Sequence, residues 1–248
     1  TLFSKSGDFS VVFGAANITV TMAAAVALPD GARLYLNIDR AERDDATTLA
    51  NVSSMNELTL VKISLGAPAT ADADGAVASQ AATLASGLAT GINGALAAGG
   101  VATFDKPRNV VASWTGTAVL TVTGTDEYGN VVVESSASGT SMAGKKAFKT
   151  ITAVTTSANI TGLTVGSGNV LGLPVFLADA VDVLKELMDA SVPTAGTFVA
   201  GSNATPTATT GDVRGTLTPN AAPNGSRVFE VIAAVRSASY TGLSQFAG

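Results

Sequence analysis

The sequence combines very few charged residues with long runs of threonine, serine, alanine, glycine and valine. Only 13% of its 248 residues are charged, whereas soluble chains average about 25%. Residues 117–134 read TAVLTVTGTDEYGNVVVE, two alternating runs separated by a turn signal. Such runs favour β-strands joined by tight turns. A surface this poor in charge is typical of a protein that packs against neighbouring subunits, so we expect a structural, assembly-forming protein.

The chain contains no cysteine and no histidine. Disulfides, thiolate catalysis and zinc–sulfur sites are therefore excluded, and the usual general base near neutral pH is missing. The sequence also lacks a Gly-x-Ser-x-Gly nucleophile motif. We expect no enzymatic activity, no cofactor and no metal. Paired carboxylates stay open as an alternative, because carboxylates of that kind are paired in space rather than in sequence.

The net charge of −5 argues against a nucleic-acid partner. The tightest basic cluster consists of Lys145, Lys146 and Lys149. Lys145 and Lys146 end a run, Gly139 to Lys146, that fits the phosphate-loop pattern except at its last position, where Lys146 replaces the magnesium-binding serine or threonine. A strand-like sequence follows instead of a helix. We therefore interpret these lysines as protein contacts on a loop and an adjoining strand.

The hydropathy pattern predicts a mainly β fold with a few helices (α+β), built as a β-sandwich or barrel-like core with extended arms. We expect a β-rich region over residues 1–104 and a β-sandwich-like domain over 105–248. The predicted turns include Pro29–Gly31, Asp126–Asn130 and residues 166–169. The predicted strands are FSVVF, NITVTM, RLYLNI, LTLVKISL, residues 117–123, 131–134, 147–154 and 227–235.

Two segments have helical periodicity. Residues 75–104 carry no charge, and apolar residues recur there every four positions at Leu84, Leu88, Ile92 and Leu96. We expect a helix packed on a sheet or a neighbouring subunit, with a membrane span as the alternative. Residues 177–190, LADAVDVLKELMDA, predict an amphipathic helix whose apolar stripe includes Leu184 and Leu187.

The remaining segments predict connections and arms. Residues 39–56 hold the densest charge, which indicates an exposed connection or a short helix, and residues 191–226 indicate a long loop or an extended arm. Both ends, residues 1–8 and 237–248, are expected to serve as arms. The start, TLFSKSGDFSVVF, lacks the apolar core of a secretory signal, so we expect a cytoplasmic product.

Several phrases of the sequence carry a family resemblance. They are PRNVVASWTGTAVLTVTGTDEYGNVVVE, GKKAFKTITAVTTS, TVGSGNVLGLPVFL and TPTATTGDVRGTLTP, all within residues 107–219. These phrases resemble a family of tailed-bacteriophage virion proteins of the head-decoration or capsid-cement type. The resemblance implies a non-enzymatic protein that binds the outside of the assembled capsid, often as a homotrimer. Such a protein stabilises the shell by bridging neighbouring capsomers.

The partners expected from this resemblance are the major capsid protein and further copies of the chain, with no nucleic acid and no membrane. The expected location is the exterior of the virion capsid. The alternatives are another virion subunit (tail tube, head fibre or major capsid protein) and a carbohydrate- or host-binding β-sandwich. The candidate interface residues are Arg108, Trp114, Lys145, Lys146, Lys149 and Arg214, with Arg214 expected to form a salt bridge between chains.

Overall fold

The computed structural model of the protein describes residues 9–13, 18–22, 58–79, 87, 90–236 and 243–246. Contacts divide the chain into two units, Thr1–Asn51 and Val52–Gly248. Several predictions lie outside the described residues: the strand RLYLNI, the turn Pro29–Gly31, the charged connection over 39–56 and the arm over 1–8.

The described part of the first unit is an antiparallel pair of strands, β1 (Phe9–Phe13) and β2 (Ile18–Met22). Their register places Phe9 opposite Met22 and Phe13 opposite Ile18. Both strands were expected from the β-branched and aromatic residues of FSVVF and NITVTM.

The second unit contains twelve further strands within its described residues. They are β3 (Leu58–Gly66), β4 (Ala97–Ala98), β5 (Val101–Ala118), β6 (Leu120–Thr125), β7 (Val131–Ser135), β8 (Gly139–Ala143), β9 (Phe148–Thr156), β10 (Thr161–Gly172), β11 (Val183–Met188), β12 (Thr197–Ala200), β13 (Gly215–Thr218) and β14 (Phe229–Arg236).

Nine of the described strands form one sheet, in the order β12-β13-β10-β5-β9-β6-β7, with β4 and β8 also paired to β5. The sheet curls into a half-barrel. Buried and partly exposed side chains alternate along β6, where Leu120 and Val122 are buried. These side chains pack with Phe104, Phe148 and Trp114 in the larger of the two hydrophobic clusters.

The second sheet of this unit has three described strands, in the order β11-β14-β3. A second hydrophobic cluster contains residues from this sheet, including Ile63, Phe229 and Val231, and residues of the larger sheet, including Leu171 and Leu217. This cluster therefore joins the ends of the two sheets.

The mainly β prediction is confirmed. The strands expected over residues 58–65, 131–134, 147–154 and 227–235 overlap β3, β7, β9 and β14. The strand expected over residues 117–123 is divided in the structure, because residues 117 and 118 end β5 and β6 begins at Leu120. The turn at Asp126–Asn130 joins β6 to β7, with the Gly129 N–H donating to the Asp126 carbonyl. The boundary expected between residues 104 and 105 is wrong, because both residues lie inside β5.

The amphipathic helix predicted over residues 177–190 is wrong. A single 3₁₀ turn at Ala180–Asp182 begins there, capped by Asp179, and Val183 then returns to an extended backbone. Val183 and Met188 pack against the second cluster while β11 pairs with β14. The apolar residues of this segment fit the period of a helix and also that of a strand. Pairing with β14 therefore outweighs the helical propensity of the segment.

A two-residue turn ends β11. Met188 and Ser191 exchange backbone hydrogen bonds of 2.8 and 3.0 Å, and the two residues between them, Asp189 and Ala190, have φ of 52° and 61°. Positive φ at both central residues defines a type I′ turn, for which aspartate and glycine are favoured. Aspartate therefore suits its position, whereas alanine at 190 is strained.

The other predicted helix is also wrong in its described part. Ile92 and Leu96 lie in an irregular segment that leads into β4, while Leu84 and Leu88 lie outside the described residues. The side chains of Ile92 and Leu96 nevertheless pack against the larger hydrophobic cluster. Among the described residues, no helix has the length and apolarity needed to cross a membrane.

Two turn and loop predictions need correction. Residues 166–169 lie within β10 rather than in a turn. Glycine is required at position 166 because the backbone at Asp72 lies very close to it. A Cβ atom at this position would lie 1.9 Å from the Asp72 carbonyl oxygen. The loop predicted over 191–226 contains β12 and β13, which pair with each other and extend the larger sheet.

We predict that Ala190→Gly stabilises the protein by up to about 1 kcal/mol, because glycine adopts positive φ without a Cβ clash. In a helix the same change is destabilising by about 1 kcal/mol. Urea unfolding measures the difference, with Ala204→Gly, an exposed loop position of ordinary φ, as the control. A lower free energy of unfolding for Ala190→Gly than for the control contradicts the turn.

Candidate functional site

The structure turns most of the predicted interface residues inward. Arg108, Trp114, Lys146 and Arg214 are buried, Lys149 is half-buried and Lys145 is exposed. Charged side chains are buried only when they are paired or hydrogen-bonded. The partners of these residues within the chain therefore show what their charges do.

Arg108 and Trp114 both belong to β5, but they have different surroundings. The Arg108 guanidinium donates two hydrogen bonds of 3.1 Å to the Ala69 carbonyl and lies 3.2 Å from an oxygen of Asp105. It thus fixes the segment that follows β3 against β5. Burial lowers the pKa of Arg108, and the Asp105 charge opposes that shift. Trp114 packs in the larger hydrophobic cluster.

Lys149 is also held within the chain. Its ammonium donates hydrogen bonds of 2.7 Å to the Phe104 carbonyl and 3.0 Å to the Asp105 carbonyl. Of the predicted lysine cluster, Lys145 alone keeps an exposed side chain.

Arg214 forms a buried ion pair with Asp126. Its NH2 nitrogen lies 2.7 Å from Oδ2 of Asp126, and both side chains are at least 98% buried. The guanidinium carbon also lies 4.9 Å from the centre of the Tyr128 ring, a cation–π contact. The salt bridge that the sequence suggested between chains is thus made inside one chain, between the 205–215 segment and the β6–β7 turn.

Lys146 and Glu134 form a second part of the same region. The Glu134 carboxylate accepts hydrogen bonds from the backbone N–H groups of Lys145 (2.6 Å) and Lys146 (3.1 Å). The Lys146 ammonium donates to the carbonyls of Thr207 (2.7 Å) and Gln245 (2.5 Å). Burial lowers the pKa of Lys146, while the charges of Glu134 and Asp212 oppose that shift. Burial also raises the pKa of Glu134.

Asp212 lies at the centre of this region. Its carboxylate accepts four hydrogen bonds: from the backbone N–H groups of Ala147, Arg214 and Gly215, and from the Gln245 side-chain amide. Burial raises the pKa of Asp212, and the backbone donors oppose that shift. We call the set Asp126, Glu134, Lys146, Asp212, Arg214 and Gln245 the buried polar network.

The C-terminal segment is part of this network, so the arm predicted over residues 237–248 is wrong for its described part. The Gln245 side chain is fully buried, and its Oε1 accepts a hydrogen bond from Val213 N–H. The Leu243 carbonyl accepts from Asn130 and from Arg214. Residues 243–246 are therefore docked on the domain by polar contacts.

The network uses its charges to hold chain segments together. It joins the β6–β7 turn, the β8–β9 connection, residues 207–215 and the C-terminal segment. Among the described residues, no group of three or more aspartates and glutamates is placed to hold a metal ion. Its members are hydrogen-bonded to one another and to the backbone, which makes the network a structural clamp.

An apolar groove lies between the two sheets' edge strands. Its volume is about 300 Å³, and its lining includes Val183, Leu184, Lys185 and Glu186 of β11, Val192 and Pro193, and Phe198 of β12. We call it the β11–β12 groove. Leu184 and Val192 are 54% and 62% exposed, which is high for large apolar side chains.

The strands beside this groove are at the edges of their sheets. Among the described strands, β11 pairs only with β14, and β12 pairs only with β13. Glu186 connects the two sides, because its Oε2 accepts a hydrogen bond of 2.7 Å from Gly196 N–H. Its other oxygen, Oε1, is buried and has no hydrogen-bond partner in the described part of the chain. Sequence reasoning missed this groove, because the predicted helix placed Leu184 on a buried stripe.

The chain matches no family model, no curated protein and no solved structure. Its functional interpretation therefore depends on the two features described above, the buried polar network and the β11–β12 groove, and on the resemblance of residues 107–219.

We predict that deleting residues 243–248 lowers the free energy of unfolding by at least about 1–3 kcal/mol, because Lys146, Asp212 and the Val213 N–H lose buried hydrogen-bond partners. Deleting only residues 247 and 248 keeps Gln245 and serves as the control. Chemical denaturation of both truncated chains measures the effect. Equal stability of the two would contradict the docking of the C-terminal segment.

Proposed function

We propose that the chain is a non-enzymatic structural protein of a tailed bacteriophage that binds the outside of the assembled capsid and bridges neighbouring capsomers. The observation that carries the proposal is the β11–β12 groove, with Leu184 and Val192 exposed beside unpaired strand edges. Exposed apolar surface next to unpaired strand edges favours contact with another protein.

The distribution of charge supports the same proposal. Four of the six predicted contact residues are buried, and the three charged ones among them interact within the chain. Contacts with a capsid would therefore depend on apolar and backbone groups more than on salt bridges. The net charge of −5 also suits an exterior position better than one against packaged DNA.

Self-association strengthens attachment in this proposal. The partners are the major capsid protein and other copies of the chain, assembled as a homotrimer on the capsid exterior after synthesis in the host cytoplasm. Three weak contacts linked in one trimer bind far more tightly than each contact alone. The resemblance of residues 107–219 to head-decoration proteins supports this assignment.

The test is the copy number per particle, measured by quantitative mass spectrometry of purified virions relative to the major capsid protein. We expect a ratio near one copy per capsid subunit. A handful of copies per particle would indicate a tail or fibre subunit instead. Absence of the protein from virions would overturn the proposal and return attention to a host- or carbohydrate-binding role.

A further inference from the structure

We infer that the β11–β12 groove binds an extended segment of the partner protein, which adds as a strand along the free edge of β12. This inference rests on the proposed function, because it takes the partner to be a capsid subunit. It specifies the chemistry of the bound segment. Every second side chain of that segment is apolar and enters the groove, and the segment brings a hydrogen-bond donor to Glu186.

The free edge of β12 supplies the backbone half of this recognition. Thr197–Ala200 pairs with β13 on one side, and the described residues supply no backbone partner on its other side. A strand edge presents alternating N–H and C=O groups to any extended chain beside it. Four residues offer an edge of about 13 Å, which is enough for a short added strand.

The groove supplies the side-chain half. Alternate side chains of an added strand point to the same side, and here that side is a hollow of about 300 Å³ between Leu184, Val192 and Phe198. A volume of this size holds two or three apolar side chains. Recognition by pockets for alternate side chains is the general mode of strand addition.

Glu186 indicates which kind of polar group the bound segment brings to the groove. Its Oε2 accepts a hydrogen bond from Gly196 N–H, just before β12, whereas its buried Oε1 has no hydrogen-bond partner among the described residues. A buried carboxylate oxygen without a donor is costly. An N–H group of an added strand would satisfy Oε1, so this side of the groove is complementary to a hydrogen-bond donor.

The experiment uses the full-length chain and purified capsid shells that lack it. Cosedimentation measures the affinity of the wild-type chain and of Leu184→Asp, Val192→Asp and Glu186→Gln. We expect each substitution to weaken binding by about tenfold or more. Leu184→Asp and Val192→Asp remove apolar contact, and Glu186→Gln places an amide N–H against the incoming donor. The control is Leu60→Asp, which changes a leucine that is 68% exposed on β3, outside the groove. Thermal melting checks that every variant is folded.

Hydrogen exchange distinguishes strand addition from simple apolar docking. In the complex with shells, we expect the amides of Thr197–Ala200 to exchange more slowly than in the free protein. If the exchange rates of these amides do not change, strand addition is overturned. If the wild-type chain binds shells and the groove variants bind with the same affinity, the groove is not the contact. If the wild-type chain does not bind shells at all, the proposed function fails, and this inference fails with it.

Discussion

The second unit depends on a small set of buried charges that are satisfied only when distant segments meet. Lys146 bonds to carbonyls 61 and 99 residues away, and Arg214 pairs with Asp126 across 88 residues. An unpaired buried charge costs several kcal/mol, so these groups can be buried only where their distant partners meet them. The network therefore fixes the positions of loops whose small residues offer little apolar surface of their own.

This arrangement explains how a chain with so few charged residues distributes them. The buried polar network and the contacts of Arg108 and Lys149 turn four of the fourteen basic side chains inward. The lining of the β11–β12 groove is mostly apolar, and among the described residues one carboxylate oxygen of Glu186 there has no hydrogen-bond partner. A protein of this kind is suited to contacts made through strand edges and apolar side chains, which is the basis of the proposed binding to a capsid.

Much of the fold was accessible from sequence, because local alternation and turn chemistry decide it. The turn at Asp126–Asn130 and the part of β6 over residues 120–123 were predicted, since period-two alternation and an Asp-x-x-Gly-Asn sequence have few other interpretations. The break between β5 and β6 at Val119 was not predicted. Residues 177–190 were not, because their apolar positions fit a helix as well as β11, and only pairing with β14 decides between them. The roles of Lys146 and Arg214 were equally hidden, since their partners are distant in sequence.

The most direct test of this account compares the stability of Lys146→Met with that of Lys145→Met. These neighbouring lysines differ in one respect that matters, since Lys146 is buried in the network and the Lys145 side chain is exposed. Urea unfolding should show a loss of about 1–3 kcal/mol for Lys146→Met, because the buried carbonyls of Thr207 and Gln245 lose their donor. Lys145→Met should leave the free energy of unfolding nearly unchanged. Equal effects of the two substitutions would contradict the central role of the buried polar network.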